Sequence, residues 1–178
     1  ATHHAGRVAR NPDWSDILVV SHDASRTGAP ILALNLVRVL SHRHNVTTLC
    51  LRGGELLKEF REHSVAVWEA GKPTDDGPFF VHVLDDVIAE QPFAFAAVNS
   101  VEARHMLLPL RARGVPSVAL LHEFASYTLP RSAYPNAISW ADQTVFSTRL
   151  TLDNAVETHH LTRTPTMHIL PQGKCEIP

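Results

Sequence analysis

Five positions along this chain carry side chains able to bind a ligand or exchange a proton, each just after a short apolar run. Ser21-His22-Asp23 follow the first run, with Thr27, Gly28 and Ala29 a few residues on. Asn99-Ser100 follow the fourth run, His122-Glu123 the fifth, Ser147-Thr148-Arg149 the sixth and Gln172-Gly173-Lys174 the last. An imidazole next to a carboxylate, as in His122-Glu123, can orient a hydroxyl or exchange a proton with it near neutral pH. Gly28 lets backbone approach a ligand closely, and the helix starting beside it aims N–H groups at an anion. Arg149, at the start of another helix, is a candidate anion contact. Each feature also has a plainer reading: a hydrogen-bonded core histidine, a turn glycine, a solvated first-turn arginine.

Other chemistries find less support. The stretch "SRTGAP" is not G-x-G-x-x-G, and Arg52 rather than an acidic residue follows the second run, so a dinucleotide site is not indicated. The 12 histidines include the pairs His3/His4, His42/His44 and His159/His160, none spaced to stack two imidazoles on one helical face, and no metal site is expected. Trp14, Trp68 and Trp140 fall at element edges and read as packing residues rather than sugar platforms.

What must position these groups is an alternation of strands and helices. Apolar, β-rich runs occupy residues 17–20, 46–51, 65–68, 93–98, 117–121, 144–146 and 167–170, and segments of helical period lie at 30–42, 55–63, 79–91, 101–113, 132–141 and 149–158. "ILVV", "FAFAAV" and "SVALL" are apolar without alternation, as strands buried on both faces are. The expected fold is therefore α/β: a Rossmann-like parallel sheet of about seven strands with helices on both faces. Ligands of such sheets bind beyond the carboxyl ends of the strands, where all five polar clusters fall. Ser100 is placed to cap the helix that follows it, and Pro109 should kink that helix. The helix opened by Pro30 is apolar almost all round and is expected to pack deeply.

The chain has 178 residues, enough for one domain with a substantial core, and a net charge of -2 that gives no general attraction to nucleic acid. Its apolar runs are too short to span a bilayer, and residues 1–15 lack a signal-peptide core and read as a flexible tail. Cys50 and Cys175 belong to no CxxC pair, which suits a reducing, cytoplasmic setting. Residues 71–78, "GKPTDDGP", form the most flexible connection by composition.

Four stretches in order, "ILVVSHDASRTGAPILALNLVRVL", "VALLHEF", "TVFSTRLTLDNAV" and "ILPQGK", resemble the N-terminal half of group 1 (family 4, retaining) glycosyltransferases of the GT-B fold. The resemblance covers roughly residues 16–174 and implies an acceptor-side Rossmann-like domain, with residues 175–178 starting the linker to an absent C-terminal donor-binding domain. It implies transfer of a sugar from a nucleoside-diphosphate-sugar to a hydroxyl with retention, the fragment alone being inactive because donor and acceptor must be held together. By the same resemblance Thr27, Gly28 and Ala29 form the loop against donor phosphates and acceptor, with Thr27 where the family has a first glycine. His122 and Glu123 match the family's catalytic "HE", and Ser147 its serine after the sixth strand. Pro171-Gln172-Gly173 stands where the family has P-N-G. His22, Asp23, Asn99, Ser100 and Arg149 line the cleft. No cofactor is required within the domain. The expected partners are a sugar, glycan or lipid-linked acceptor and the second domain of the same chain, with peripheral contact at the cytoplasmic membrane face left open by Arg104, Arg111 and Arg113. Two rival readings remain: a stand-alone α/β binding module without chemistry, and a Rossmann oxidoreductase or epimerase.

Overall fold

The structure is a computed structural model that describes residues 1–71 and 77–177. An eight-stranded sheet runs in the order β1-β4-β3-β2-β5-β6-β7-β8. The strands are β1 (Thr2–Ala5), β2 (Asp16–Ser21), β3 (Asn45–Cys50), β4 (Ala66–Glu69), β5 (Phe95–Asn99), β6 (Ser117–Leu121), β7 (Gln143–Phe146) and β8 (Met167–Ile169). All neighbours are parallel except β1, which pairs antiparallel with β4. The helices are α1 (Gly28–Leu40), α2 (Leu57–His63), α3 (Gly77–Glu90), α4 (Leu107–Ala112), α5 (Ala133–Trp140) and α6 (Arg149–His159).

The unbroken apolar runs explain the two-sided burial. In β2, Ile17 and Val19 enter one core with Ala33, Leu34 and Val37 of α1 and Phe60 of α2, while Leu18 and Val20 enter another with residues of α3 and α4. Successive side chains point to opposite faces, so a strand covered on both sides must be apolar at every position. From β2 the chain moves outward to β3 and β4, then returns to place β5 on the other side of β2. The strand order therefore reverses between β2 and β5, where Ser21 and Asn99 lie side by side at the carboxyl ends.

Three expectations change. The tail expected over residues 1–15 contains β1: Thr2 to Ala5 pair with Glu69 to Ala66, and the His3 ring lies 4.9 Å from that of Trp68. Asn11 and Trp14 are tied down through Asn45, whose amide donates to both carbonyls. The helix expected over 101–113 begins as a 3₁₀ segment, Val101–Met106, and becomes α-helical at Leu107. Pro109 thus falls in the first turn of α4, where a missing N–H leaves no bond unmade. Finally, α1 is not deeply packed all round: Pro30, Ala33, Leu34 and Val37 are buried, whereas Val39 is 68% exposed. The connection expected to be flexible, residues 71–78, includes residues 72–76, which lie outside the described residues.

Candidate functional site

The site grows from the β2/β5 crevice. Asn99, buried at the end of β5, donates through Nδ2 to the carbonyl of Ala29 in the first turn of α1 at 2.8 Å. Its Oδ1 lies 2.8 Å from Nε2 of His122, just past β6. His122 Nδ1 in turn lies 2.6 Å from the Gln172 amide nitrogen, in the segment after β8. Four chain segments distant in sequence are thereby joined at one edge of the sheet. Burial lowers the His122 pKa below the ordinary imidazole value, with the charge of Glu123 opposing, which favours the neutral ring.

The Glu123 carboxylate is engaged by hydroxyl and backbone donors. It accepts from the Ser100 hydroxyl and from the His122 N–H at 3.1 Å, with the Val101 N–H at 3.5 Å. These bonds tie the loop after β6 to the 3₁₀ segment after β5, and the buried Tyr134 hydroxyl donates to the Glu123 carbonyl. Ser100 sits at φ 77° and ψ 145°, a region that side chains other than glycine avoid. Its N–H donates to the Leu120 carbonyl at 2.9 Å, and its Oγ accepts from the Glu102 N–H, which is the expected cap. Glu123 and Ser100 thus hold the peptide next to Asn99 in a strained conformation.

The other expected residues divide. Thr27 is the N-cap of α1, but its side chain caps nothing; its hydroxyl bonds Ser25, whose own N–H and hydroxyl donate to Asp23. The Thr27 side chain therefore leaves the first-turn N–H groups of Gly28 and Ala29 uncapped. A Cβ on Gly28 would meet nothing within 4 Å, so open space lies over that residue. His22 Nε2 lies 3.4 Å from an Asp23 oxygen. Ser147 is buried, and Arg149 is exposed at the start of α6, whose N-terminus is closed by a Thr148–Thr151 capping box. Of the arginines considered for a membrane face, Arg104 is buried with a bond to the Val101 carbonyl, while the exposed Arg111 bonds the Ser139 carbonyl and the exposed Arg113 grips Asp85 with two bonds of 2.9 Å.

Beside His122 and Asn99 lies an apolar trough of about 280 Å³, between Leu32, Leu36 and Val39 of α1 and Leu120 and Val145 of the sheet, with residues 170–175 as its outer wall. Gln172 was legible only as a strand-end residue in the P-Q-G turn. Its contact with His122 is fifty positions away in sequence, which no local pattern reveals.

No helix among the described residues is long and apolar enough to cross a membrane. No protein-family model matches the chain, and no curated protein matches it. Solved structures do match. Anabaena HepE in complex with UDP-glucose superposes with a TM-score of 0.73 at 14% identity, over 90% of this chain and 44% of that one. The lipopolysaccharide outer core galactosyltransferase WaaB, in its apo form, gives 0.65 at 9% over 85% and 44%. UDP-N-acetylglucosamine 2-epimerase from Rickettsia bellii gives 0.63 at 8% over 89% and 45%. The chain thus spans less than half the length of each of these proteins, and its fold is that of the N-terminal half of GT-B proteins.

Proposed function

We propose that this chain is the acceptor-side domain of a retaining, family 4 glycosyltransferase, acting in the cytoplasm with a second domain that holds a nucleoside-diphosphate-sugar. The observation that carries the reading is the connection from Ala29 through Asn99 and His122 to Gln172, set between an open helix N-terminus and an apolar trough. Each part has a task in such a transfer. The free N–H groups at the start of α1 suit the departing diphosphate, with Arg149 as an exposed cation on the same sheet edge. The neutral His122 ring suits a sugar hydroxyl, and the trough suits the unreactive body of a sugar, glycan or lipid-linked acceptor. Glu123, expected as catalytic, acts here as a positioning residue that anchors the loop carrying His122. Two unpaired cysteines, one of them buried, accord with a reducing compartment.

The likeness to a UDP-N-acetylglucosamine epimerase favours one second reading, in which the same crevice serves epimerisation of a nucleotide-sugar. The experiment is a panel of nucleotide-sugars incubated with the full-length gene product, products being read by mass spectrometry and anomeric NMR. Release of free nucleoside diphosphate with an α-to-α or β-to-β product supports retaining transfer. An epimerised sugar still attached to its nucleotide supports the second reading, and no binding of any nucleotide-sugar contradicts both.

A further inference from the structure

Both ring nitrogens of His122 are engaged, and their partners decide which one carries the proton. Asn99 Nδ2 is committed as donor to the Ala29 carbonyl, so the amide orientation is fixed and Oδ1 is the atom that meets His122 Nε2. An oxygen acceptor there requires a proton on Nε2. Nδ1 is then a bare lone pair, and the Gln172 amide is its donor. The opposite tautomer would set a lone pair against Asn99 Oδ1 and an N–H against the Gln172 amide nitrogen.

The two partners differ in how firmly they are held. Asn99 is buried in β5, beside the strained Ser100 that Glu123 secures. Gln172 is exposed, in a segment outside any strand or helix, and among the described residues its amide bonds the imidazole alone. We infer that Asn99 and Gln172 are positioning residues of opposite kinds: Asn99 keeps the proton on Nε2, and the Gln172 amide holds at Nδ1 the place that a substrate hydroxyl takes by displacing it. The identity of that hydroxyl as a sugar's rests on the transfer reading above; the tautomer does not. Because Gln172 also belongs to the outer wall of the trough, a hydroxyl entering at Nδ1 and a ligand entering the trough both act on the same segment.

The tautomer is read from long-range ¹H–¹⁵N correlation spectra of the labelled chain, with the His122 signals identified by their loss in His122→Gln. The inference predicts a protonated Nε2 and a bare Nδ1, a mixture of tautomers in Asn99→Leu, and restoration in Asn99→Asp, which keeps an oxygen acceptor. A wild-type spectrum showing Nδ1–H overturns it, whether or not the variants fold. Displacement is read by diethyl pyrocarbonate labelling resolved by peptide, the other histidines serving as internal controls. Gln172→Ala should raise His122 labelling about fivefold, the worth of one neutral hydrogen bond, and an unchanged rate overturns the inference. In a transfer assay the same variant should lower the KM of the nucleotide-sugar about fivefold at constant kcat, and a fall in kcat at unchanged KM contradicts displacement. Absence of transfer by the wild type counts against the proposed function, while the spectra and labelling still decide the inference.

Discussion

Replacing Glu123 by alanine separates a structural carboxylate from a catalytic one without any substrate. The structure gives that carboxylate two good donors, the Ser100 hydroxyl and the His122 N–H at 3.1 Å, and a longer third in the Val101 N–H at 3.5 Å. Hydrogen bonds to a charged group contribute about 1.5–3 kcal/mol each. Glu123 is only half-buried, so water recovers part of the loss, and the net cost of Glu123→Ala should be about 2–3 kcal/mol. For a domain of this length each kcal/mol lowers Tm by about 2–4 °C, which gives a drop of roughly 4–12 °C. Glu123→Gln keeps the shape and one acceptor oxygen, and the Ser100 hydroxyl can rotate to accept from the new amide, so its cost should be about 1 kcal/mol. The assay is differential scanning calorimetry of the wild type and both variants. A Glu123→Ala protein that melts within a degree or so of wild type would refute the reasoning and return the carboxylate to a direct role in chemistry.

Other consequences concern burial, backbone and charge. Because burial lowers the His122 pKa, the folded protein binds fewer protons there than the unfolded chain. The stability this contributes is present above the ordinary value of 6.5 and lost as pH falls through the lower folded-state value. Urea unfolding from about pH 7 to about pH 5 should therefore show a steeper loss for wild type than for His122→Gln, and parallel curves would contradict it. Gly28→Ala should leave Tm unchanged or slightly raised, since its Cβ meets open space, while weakening nucleoside-diphosphate binding by the full-length protein; unchanged affinity in calorimetric titration would remove α1 from the anion site. Leu34→Ala, fully buried in α1, should cost about 2–5 kcal/mol in chemical denaturation. Val39→Ala on the trough side of the same helix should stay within about 0.5 kcal/mol, and equal losses would show that α1 is packed all round.

The strands were legible because burial on both faces leaves a direct mark: each of the seven apolar runs became a strand of the parallel sheet. β1 left no such mark. "THHA" is neither apolar nor β-branched throughout, and it exists because its edge can pair with β4 and its His3 can rest on Trp68. Composition misread α1 because apolar content does not say what covers a face. Leu32, Leu36 and Val39 line the trough opposite the half-buried Leu120 and Val145. At the site, adjacency in sequence suggested that His122 and Glu123 work together, yet neighbouring residues at a strand end need not point into one crevice. The Glu123 carboxylate meets the Ser100 hydroxyl and the His122 backbone N–H, and the partners of the His122 ring are Asn99 and Gln172, 23 and 50 positions away. Long-range hydrogen bonds of this kind follow from strand order, which periodicity does not encode.

In the transfer reading, His122 meets the reacting sugar of a nucleotide-sugar substrate. The most direct measurement of that contact is kcat/KM of the full-length gene product for the donor that the panel identifies, in wild type and His122→Ala matched for Tm. If His122 touches that sugar, kcat/KM should fall about a hundredfold or more with the fold intact. Turnover by His122→Ala within about threefold of wild type would contradict that contact and leave His122 as a hydrogen-bonded histidine of the domain's framework.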